Sequence, residues 1–256
     1  MDPRGTVVAT KGAVWALGGG FMMSREVKSL CDLYGLGSRE MYFRGRCGVL
    51  GEVHADVVVA AAMFFPAGHV RASWEGGRSL PAEEAAAIYA SACHDWGRRK
   101  LGEFRGAGRL AELLAAIADG STVHGSPLFA GWRAMPRPAG DDVALAAHLL
   151  QVLREHRGGL HQTAILAYGL DPLEATLVGA RGAGASDPET GNAAVARFLQ
   201  WPEPYGMPSR DAVERRARAE ELTDDLAAPA YGVLDGGERA ELADLLATAA
   251  GTAFAR

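Results

Sequence analysis

The chain has 256 residues, of which 48% are hydrophobic, and its 26 lysines and arginines face 31 aspartates and glutamates, for a net charge of −5. This composition predicts a globular protein with a substantial core and excludes a disordered one. The acidic balance opposes tight DNA binding, although a locally basic helix remains compatible with it. No apolar run reaches the ~18 residues of a membrane helix, and the N-terminus lacks the pattern of a secretion signal. We therefore expect a cytoplasmic protein without a membrane partner.

Alanine and leucine dominate segments with helical periodicity, which predicts a mainly α-helical fold. In chain order these segments are residues 7–17, 22–34, 52–65, 82–101, 109–119, 141–156, 160–168, 172–180, 210–227 and 236–254. Asp171 and Asp235 stand where a helix-starting cap is expected. Three prolines bracket a further short helix around Leu128 to Met135. This proline-rich stretch is also the predicted seam between two halves, residues 1–137 and 138–256.

A first cluster of chemistry-bearing residues lies around residue 45. Tyr42 supplies an aromatic wall, and Arg44 and Arg46 flank a glycine, so that they diverge if a helix ends there. Glu52 and His54 offer an acid, a base or a positioning group. We predict substrate binding by Tyr42 and Arg46 and a catalytic role for Glu52. The alternative is an ordinary helix end whose arginines meet solvent or cap carbonyl groups.

A second cluster interrupts the apolar helical pattern of LQVLREHRGGLHQTAILAYG. Gly158 and Gly159 predict a helix break, and the amides that open a second helix would offer an anion-binding site. Arg157 adds a permanent cation, and His156 and His161 can move protons near neutral pH. We predict an anion pocket in which Arg157 binds substrate and both histidines act in catalysis. The alternative is a helix C-terminus that glycine and basic residues stabilise.

The sequence contains no signature of a metal-binding or nucleotide-binding site. Cys31, Cys47 and Cys93 are too scattered for a disulfide framework or a zinc site and are predicted to be buried thiols. His156 and His161 lie five residues apart across the glycines, without helical registry for two metal ligands. The chain has no phosphate-binding loop, no dinucleotide-binding glycine pattern after a strand and no GxSxG elbow. We expect neither a metal nor a cofactor.

The C-terminal part carries two further patterns. Three prolines in the segment Trp201–Pro208 disfavour a regular β-hairpin there. Arg215, Arg216 and Arg218 alternate with glutamates in a helical segment. This alternation predicts a solvated face with ion pairs at three- and four-residue spacing, and the alternative is a contact with DNA.

Four stretches of the chain, in order, carry a resemblance to one family. They are YGLGSREMYFRGRCGVLGEVHADVVVAAAMFF, SPLFAGWRAMP, REHRGGLH followed by LDPLEA, and TDDLAAPAYGVLDGGERAELADLL. Together they are similar to motifs of the SalK-like family, which comprises actinobacterial proteins with tandem helix-turn-helix or winged-helix domains. The resemblance implies two MarR-like winged-helix halves, of which the second has a degenerate wing. It also places Arg46, Phe129 and Arg133 at matching positions, where we expect them to bind substrate in one cavity.

Two functions from different classes are compatible with this resemblance. In the first, the chain is an enzyme of secondary-metabolite or antibiotic biosynthesis, of lyase or cyclase type and without a redox cofactor, that binds a small anionic substrate between helices. In the second, it is a ligand-responsive transcription regulator of the MarR-like kind. The acidic balance and the degenerate wing favour the enzyme and disfavour a nucleic-acid partner.

The enzyme hypothesis has a more specific form. In length the chain resembles proteins of azinomycin-type biosynthesis that close an aziridine ring by expelling sulfate, in complex with a smaller partner protein. The resemblance implies that Arg46, Arg157 and the histidines stabilise the leaving sulfate, while Glu52 or Glu155 accepts a proton from the attacking amine. It also implies a smaller partner protein or a second copy of the chain as a partner.

Overall fold

The structure is a computed structural model that describes residues 1–179 and 192–255. Helices dominate this part of the chain, which contains no strand, and the mainly α-helical fold predicted from the sequence is confirmed. The helices before residue 137 are α1 (Pro3–Gly19), α2 (Arg25–Tyr34), α3 (Ser38–Cys47), α4 (Ala55–Ala61), α5 (Ala67–Gly76), α6 (Ala82–Leu101), α7 (Ala107–Gly120) and α8 (Pro127–Ala134). The helices after it are α9 (Asp142–Ala167), α10 (Pro172–Leu177), α11 (Ala193–Phe198), α12 (Arg210–Tyr231) and α13 (Gly236–Phe254).

The helices are joined by loops and short turns. Because the described residues contain no strand, neither half of the sequence carries a β-hairpin wing within them. The short helix expected between the prolines is α8, and the last residue of the predicted segment 172–180 lies outside the described residues. No helix of the described part combines the length and apolar character that a bilayer-crossing segment requires.

The predicted caps form as expected. The Asp171 side chain accepts a hydrogen bond from the Glu174 amide at 2.8 Å. Asp235 accepts bonds from two amides, and its own amide donates one to the Glu238 carboxylate at 3.0 Å. These bonds satisfy amides that have no partner within their own helix, so they fix where α10 and α13 begin.

The longest helix, α9, lies at the centre of the molecule and packs against α1, α6, α7, α8 and α12. It runs without interruption through Gly158 and Gly159, so the predicted helix break is wrong. A Cβ atom on Gly159 would lie 2.2 Å from the Ser126 Oγ atom, just before α8. This glycine therefore permits close packing, and the contacts along α9 outweigh the cost of about 1 kcal/mol that each glycine adds to a helix.

One hydrophobic core contains residues from both halves of the sequence. Leu114, Phe129 and Leu150 belong to this core, as does Leu246 near the C-terminus, and each is at most 1% exposed. Because α9 contributes to the core along much of its length, helices before and after residue 137 are stabilised together. The division into two halves stays a prediction.

Two glycines of α1 differ in what surrounds them. A Cβ atom on Gly18 would lie 2.5 Å from the Leu150 carbonyl oxygen of α9, which is closer than real contacts allow. A Cβ atom on Gly12 would meet no atom within 4 Å. The contact between α1 and α9 therefore depends on Gly18 and not on Gly12.

We expect opposite effects of alanine at these two positions. Gly18→Ala should lower the free energy of unfolding by about 1 to 3 kcal/mol, because the added methyl group forces backbone or side-chain shifts in a packed interface. Gly12→Ala should raise it by up to about 1 kcal/mol, because alanine is the better helix former in open space. Urea denaturation of both variants measures the difference, and equal effects would contradict the α1–α9 contact.

Candidate functional site

The helix α3 follows α2 after a three-residue turn. Gly35, with φ of +64°, takes the left-handed conformation that ends α2, and α3 begins at Ser38. From Met41 to Cys47 every residue of α3 except Tyr42 is buried. Arg44 and Arg46 therefore point into the protein and must find partners there.

Arg46 pairs with Glu155 of α9 through two hydrogen bonds. Its Nε atom donates to Glu155 Oε1 at 2.8 Å, and its Nη2 atom donates to Oε2 at 2.7 Å. The Arg46 side chain is 9% exposed and that of Glu155 is 2% exposed. A third donor of Arg46, Nη1, bonds the Tyr42 hydroxyl oxygen at 3.1 Å. The geometry is that of a bidentate, charge-assisted pair.

Two more side chains of α9 complete the environment of this carboxylate. Gln151 Nε2 and Arg154 Nη1 donate to Glu155 Oε1 at 2.8 and 3.0 Å. Burial by itself raises the pKa of Glu155, but the charge and hydrogen bonds of Arg46 outweigh burial and lower that pKa. Glu155 is therefore ionised at neutral pH. We call Tyr42, Arg46, Gln151, Arg154 and Glu155 the Glu155 cluster.

A small cavity borders the Glu155 cluster. It has a volume of about 10 Å³, and its lining comes from α9, the start of α8 and the end of α4: Ala61, Ser126, Pro127, Leu128, Glu155, Gly159 and Gln162. This space suits one water molecule. Gln162 Nε2 donates to the Ala61 carbonyl oxygen at 2.8 Å across the cavity wall. A larger molecule would enter only if α4 or α8 moved away from α9.

His156 lies beside Glu155 on α9 and faces α8. Its ring centroid is 4.7 Å from that of Phe129, and the residue is 4% exposed. Burial, assisted by the charge of Arg133, lowers the pKa of His156 to about 4, so the imidazole is neutral at pH 7. Arg133 packs its guanidinium 5.1 Å from the Phe129 ring centroid and donates to the Ser121 carbonyl oxygen at 2.7 Å. Arg133 therefore also stabilises the C-terminal end of α7.

Arg157 faces the opposite side of α9, toward α1 and α12. There it meets Lys11 of α1 and Arg216, Glu220 and Asp224 of α12, a set that we call the α12 ionic cluster. Arg157 Nη2 contacts carboxylate oxygens of both Glu220 and Asp224. Because these carboxylates already pair with it, the predicted open anion pocket at a helix N-terminus does not form.

His161 adjoins the α12 ionic cluster. Its Nδ1 atom lies 2.9 Å from the Thr223 hydroxyl oxygen, and this hydroxyl donates its only proton to the Ala219 carbonyl oxygen. Nδ1 therefore carries the imidazole proton and donates to Thr223. Burial, with the nearby cations, lowers the pKa of His161 to about 3.

Glu52 lies apart from both the Glu155 cluster and the α12 ionic cluster. It pairs through both oxygens, at 2.8 Å each, with Arg44, and it also accepts the Ala82 amide at the start of α6. Arg44 is fully buried, and its Nε atom donates to the Leu80 carbonyl oxygen at 3.0 Å. These contacts connect α3 with the start of α6 and leave Glu52 outside the Glu155 cluster.

The sequence-predicted site residues therefore separate into four groups. Tyr42 and Arg46 join the Glu155 cluster, Phe129, Arg133 and His156 lie together on the α8 side of α9, Arg157 and His161 meet α12, and Glu52 pairs with Arg44. Sequence reasoning missed Gln151 and Arg154 as partners of Glu155. The signal was present, because polar residues in or next to the apolar segment Leu149–Leu153 of a continuous helix must find partners.

A histidine pair between α6 and α9 was also missed. His148 is fully buried, and its Nδ1 atom lies 3.3 Å from Nε2 of His94. Burial lowers the pKa of His148 to about 4. Within residues 1–179 and 192–255, no three histidine, cysteine, aspartate or glutamate side chains come together as metal ligands would.

A family model described as a helix-turn-helix family matches residues 9–256. No curated protein and no solved structure matches the chain significantly. The match covers every residue of the Glu155 cluster and of the α12 ionic cluster.

We expect that replacing only one partner of the Arg46–Glu155 pair strongly lowers the free energy of unfolding. Arg46→Met should lower the free energy of unfolding by about 3 to 5 kcal/mol, because it leaves a buried carboxylate short of its main partner. The double variant Arg46→Met, Glu155→Leu should regain most of this loss. Arg109→Met, which breaks an exposed pair with Glu241, should cost at most about 1 kcal/mol. Urea denaturation that shows no regain in the double variant would contradict this account.

Stability should fall as the pH is lowered from 7 to 5. The pKa values of His148, His156 and His161 are lowered to about 4, 4 and 3 in the folded protein, from an ordinary value of 6.5. The unfolded chain therefore takes up protons first, and each imidazole should cost up to about 2 kcal/mol by pH 5. The loss begins near pH 6.5 and continues to the folded-state pKa values.

Chemical denaturation at several pH values measures this slope. His156→Gln should make it shallower, because it removes one of the three imidazoles that burial keeps neutral. An equal slope in the wild type and in His156→Gln would show that His156 is not held neutral by burial.

Proposed function

The chain belongs to the helix-turn-helix family, and we propose that it is an enzyme of small-molecule biosynthesis. In this enzyme the second helix of a helix-turn-helix arrangement carries side chains that act inside the protein. Its place within the family is the SalK-like group, whose motifs the sequence resembles. The substrate is a small anionic molecule that binds beside Glu155 and His156. Arg46 and Tyr42 of α3 and Phe129 and Arg133 of α8 surround this position.

The observation that carries the proposal is the burial of α3. In a DNA-reading helix-turn-helix, the second helix lies in the major groove and its side chains contact base edges. Here α3 follows α2 after a short turn, yet Arg44 is fully buried and Arg46 is 8% exposed. Both arginines are paired with carboxylates, Arg44 with the half-exposed Glu52 and Arg46 with the buried Glu155. The net charge of −5 adds to the argument against this helix as a DNA-reading element.

The proposed reaction is ring closure with sulfate as the leaving group. A neutral amine attacks the carbon that bears the sulfate ester, the carbon–oxygen bond breaks, and sulfate departs with the electron pair. The amine proton passes to a base. We assign this base to His156 in place of Glu52 or Glu155, because His156 is neutral at pH 7 and so has an unprotonated ring nitrogen. Arg46 and Arg133 are nearby cations that could stabilise charge on the departing group.

Substrate entry requires a conformational step. The cavity beside Glu155 holds about 10 Å³, so a substrate must first separate α4 or the start of α8 from α9. The Gln162 bond to the Ala61 carbonyl oxygen and the contact between Ser126 and Gly159 are the interactions that must open. Closure would then exclude water from the reacting atoms.

A second candidate function is a ligand-responsive transcription regulator. The family match favours it, and so do the exposed cations Arg25 and Lys28 on α2. In this case ligand entry beside Glu155 would alter the outer surface of the protein. The two functions differ in whether a duplex is bound and whether a ligand is consumed.

Two measurements distinguish these functions. Fluorescence anisotropy with the duplex upstream of the gene should show no sequence-specific binding at physiological salt, and sulfate release from an amine-bearing sulfate ester should be catalysed. His156→Gln should reduce this release about a hundredfold or more, the usual size of a general-base contribution. Arg218→Ala, on the exposed side of α12, should change it less than about twofold. Nanomolar duplex binding that a small ligand reverses would favour the regulator instead.

A further inference from the structure

The α12 ionic cluster contains more positive than negative charge. Among the described residues, Lys11, Arg157 and Arg216 face two carboxylates, those of Glu220 and Asp224. The side chains are largely buried, with exposed fractions between 5% and 27%. His161 is neutral and does not alter this balance. A buried excess of positive charge is costly unless another anion joins it.

The cluster also keeps hydrogen-bond donors without acceptors. The Nε atoms of Arg157 and Arg216 are buried, and neither has a hydrogen-bond partner among the described residues. Lys11 Nζ, by contrast, contacts Asp224 at 2.6 Å and Glu220 at 3.2 Å. The guanidinium groups therefore retain donors for an anion with several acceptor oxygens.

The carboxylates belong to a helix that packs weakly through apolar groups. Apart from Tyr231, the apolar side chains that α12 buries are alanines: Ala212, Ala219, Ala227 and Ala230. Each alanine buries a single methyl group, worth about 0.8 kcal/mol. Ion pairs thus contribute much of the contact between this part of α12 and its neighbours, and a competing anion can weaken them.

We propose that Lys11, Arg157 and Arg216 form a binding site for a tetrahedral oxyanion, a phosphate or sulfate group, and that Glu220 and Asp224 occupy this site as internal competitors. An oxyanion matches the forked donors of arginine and supplies the acceptors that the cluster lacks. Its binding displaces the two carboxylates and loosens α12 from α1 and α9. The site is on the opposite side of α9 from the Glu155 cluster, and its occupation does not depend on the proposed reaction.

The test is removal of the internal competitors. In Glu220→Gln, Asp224→Asn, isothermal titration with inorganic phosphate and with sulfate should show dissociation constants about tenfold or more below those of the wild type, because the site no longer has to exchange its own carboxylates. Adding Arg157→Met to the double variant should restore weak binding. Tighter binding of either oxyanion supports the site, and the preferred one shows whether the site selects phosphate or sulfate.

The matched control is Glu174→Gln. Glu174 pairs with Arg215 at 3.2 Å, and the exposed fractions of that pair, 25% and 27%, are close to those of Glu220 and Arg157. This control should bind oxyanions no better than the wild type. The proposal is overturned if the double variant binds no more tightly than Glu174→Gln, or if chloride at the same ionic strength has the same effect. If the double variant does not fold, Glu220→Gln alone should still tighten binding, and its failure to do so would equally overturn the proposal.

Discussion

The buried pair between Arg46 and Glu155 joins the two helices on which the arrangement of this protein depends. Removing two charges from water costs several kcal/mol per ion, so the pair persists only because geometry and extra hydrogen bonds compensate. Tyr42, Gln151 and Arg154 supply those bonds. In consequence Arg46 must stay turned toward α9, and it cannot at the same time contact a nucleic acid. Because this pair fixes the position of Glu155 on α9, the neighbouring His156 and the small cavity also lie inside the protein and away from solvent.

Charge in this protein is organised by face. Along α9, Glu155 points to α3, His156 to α8 and Arg157 to α12, so three consecutive residues have three different environments. The first environment has a saturated carboxylate, the second a neutral imidazole and the third an excess of cations. Because α9 continues through the glycines, these environments are separated by side-chain direction and not by a break in the chain.

The helical class and several boundaries could be predicted from periodicity and capping, as Asp171 and Asp235 illustrate. The family resemblance partly predicted that Arg46 lies close to the second cluster of the sequence, the segment that contains Glu155. The role of Gly159 could not be predicted, because a glycine that breaks a helix and one that admits a neighbouring Ser126 side chain look the same in sequence. With that break assumed, the direction of Arg157 could not be derived, since side-chain direction follows from a continuous helical register.

The continuity of α9 has a consequence for how sequences of this kind can vary. Successive residues of an α-helix are rotated by about 100°, so one residue inserted between Gln151 and Glu155 would turn everything after it by that angle. Glu155 would leave Arg46, and Arg157 would leave α12, in a single step. Substitutions can alter these environments one at a time, whereas insertions and deletions change all of them at once. Length variation should therefore be confined to the loops, and the central turns of α9 should keep a fixed number of residues.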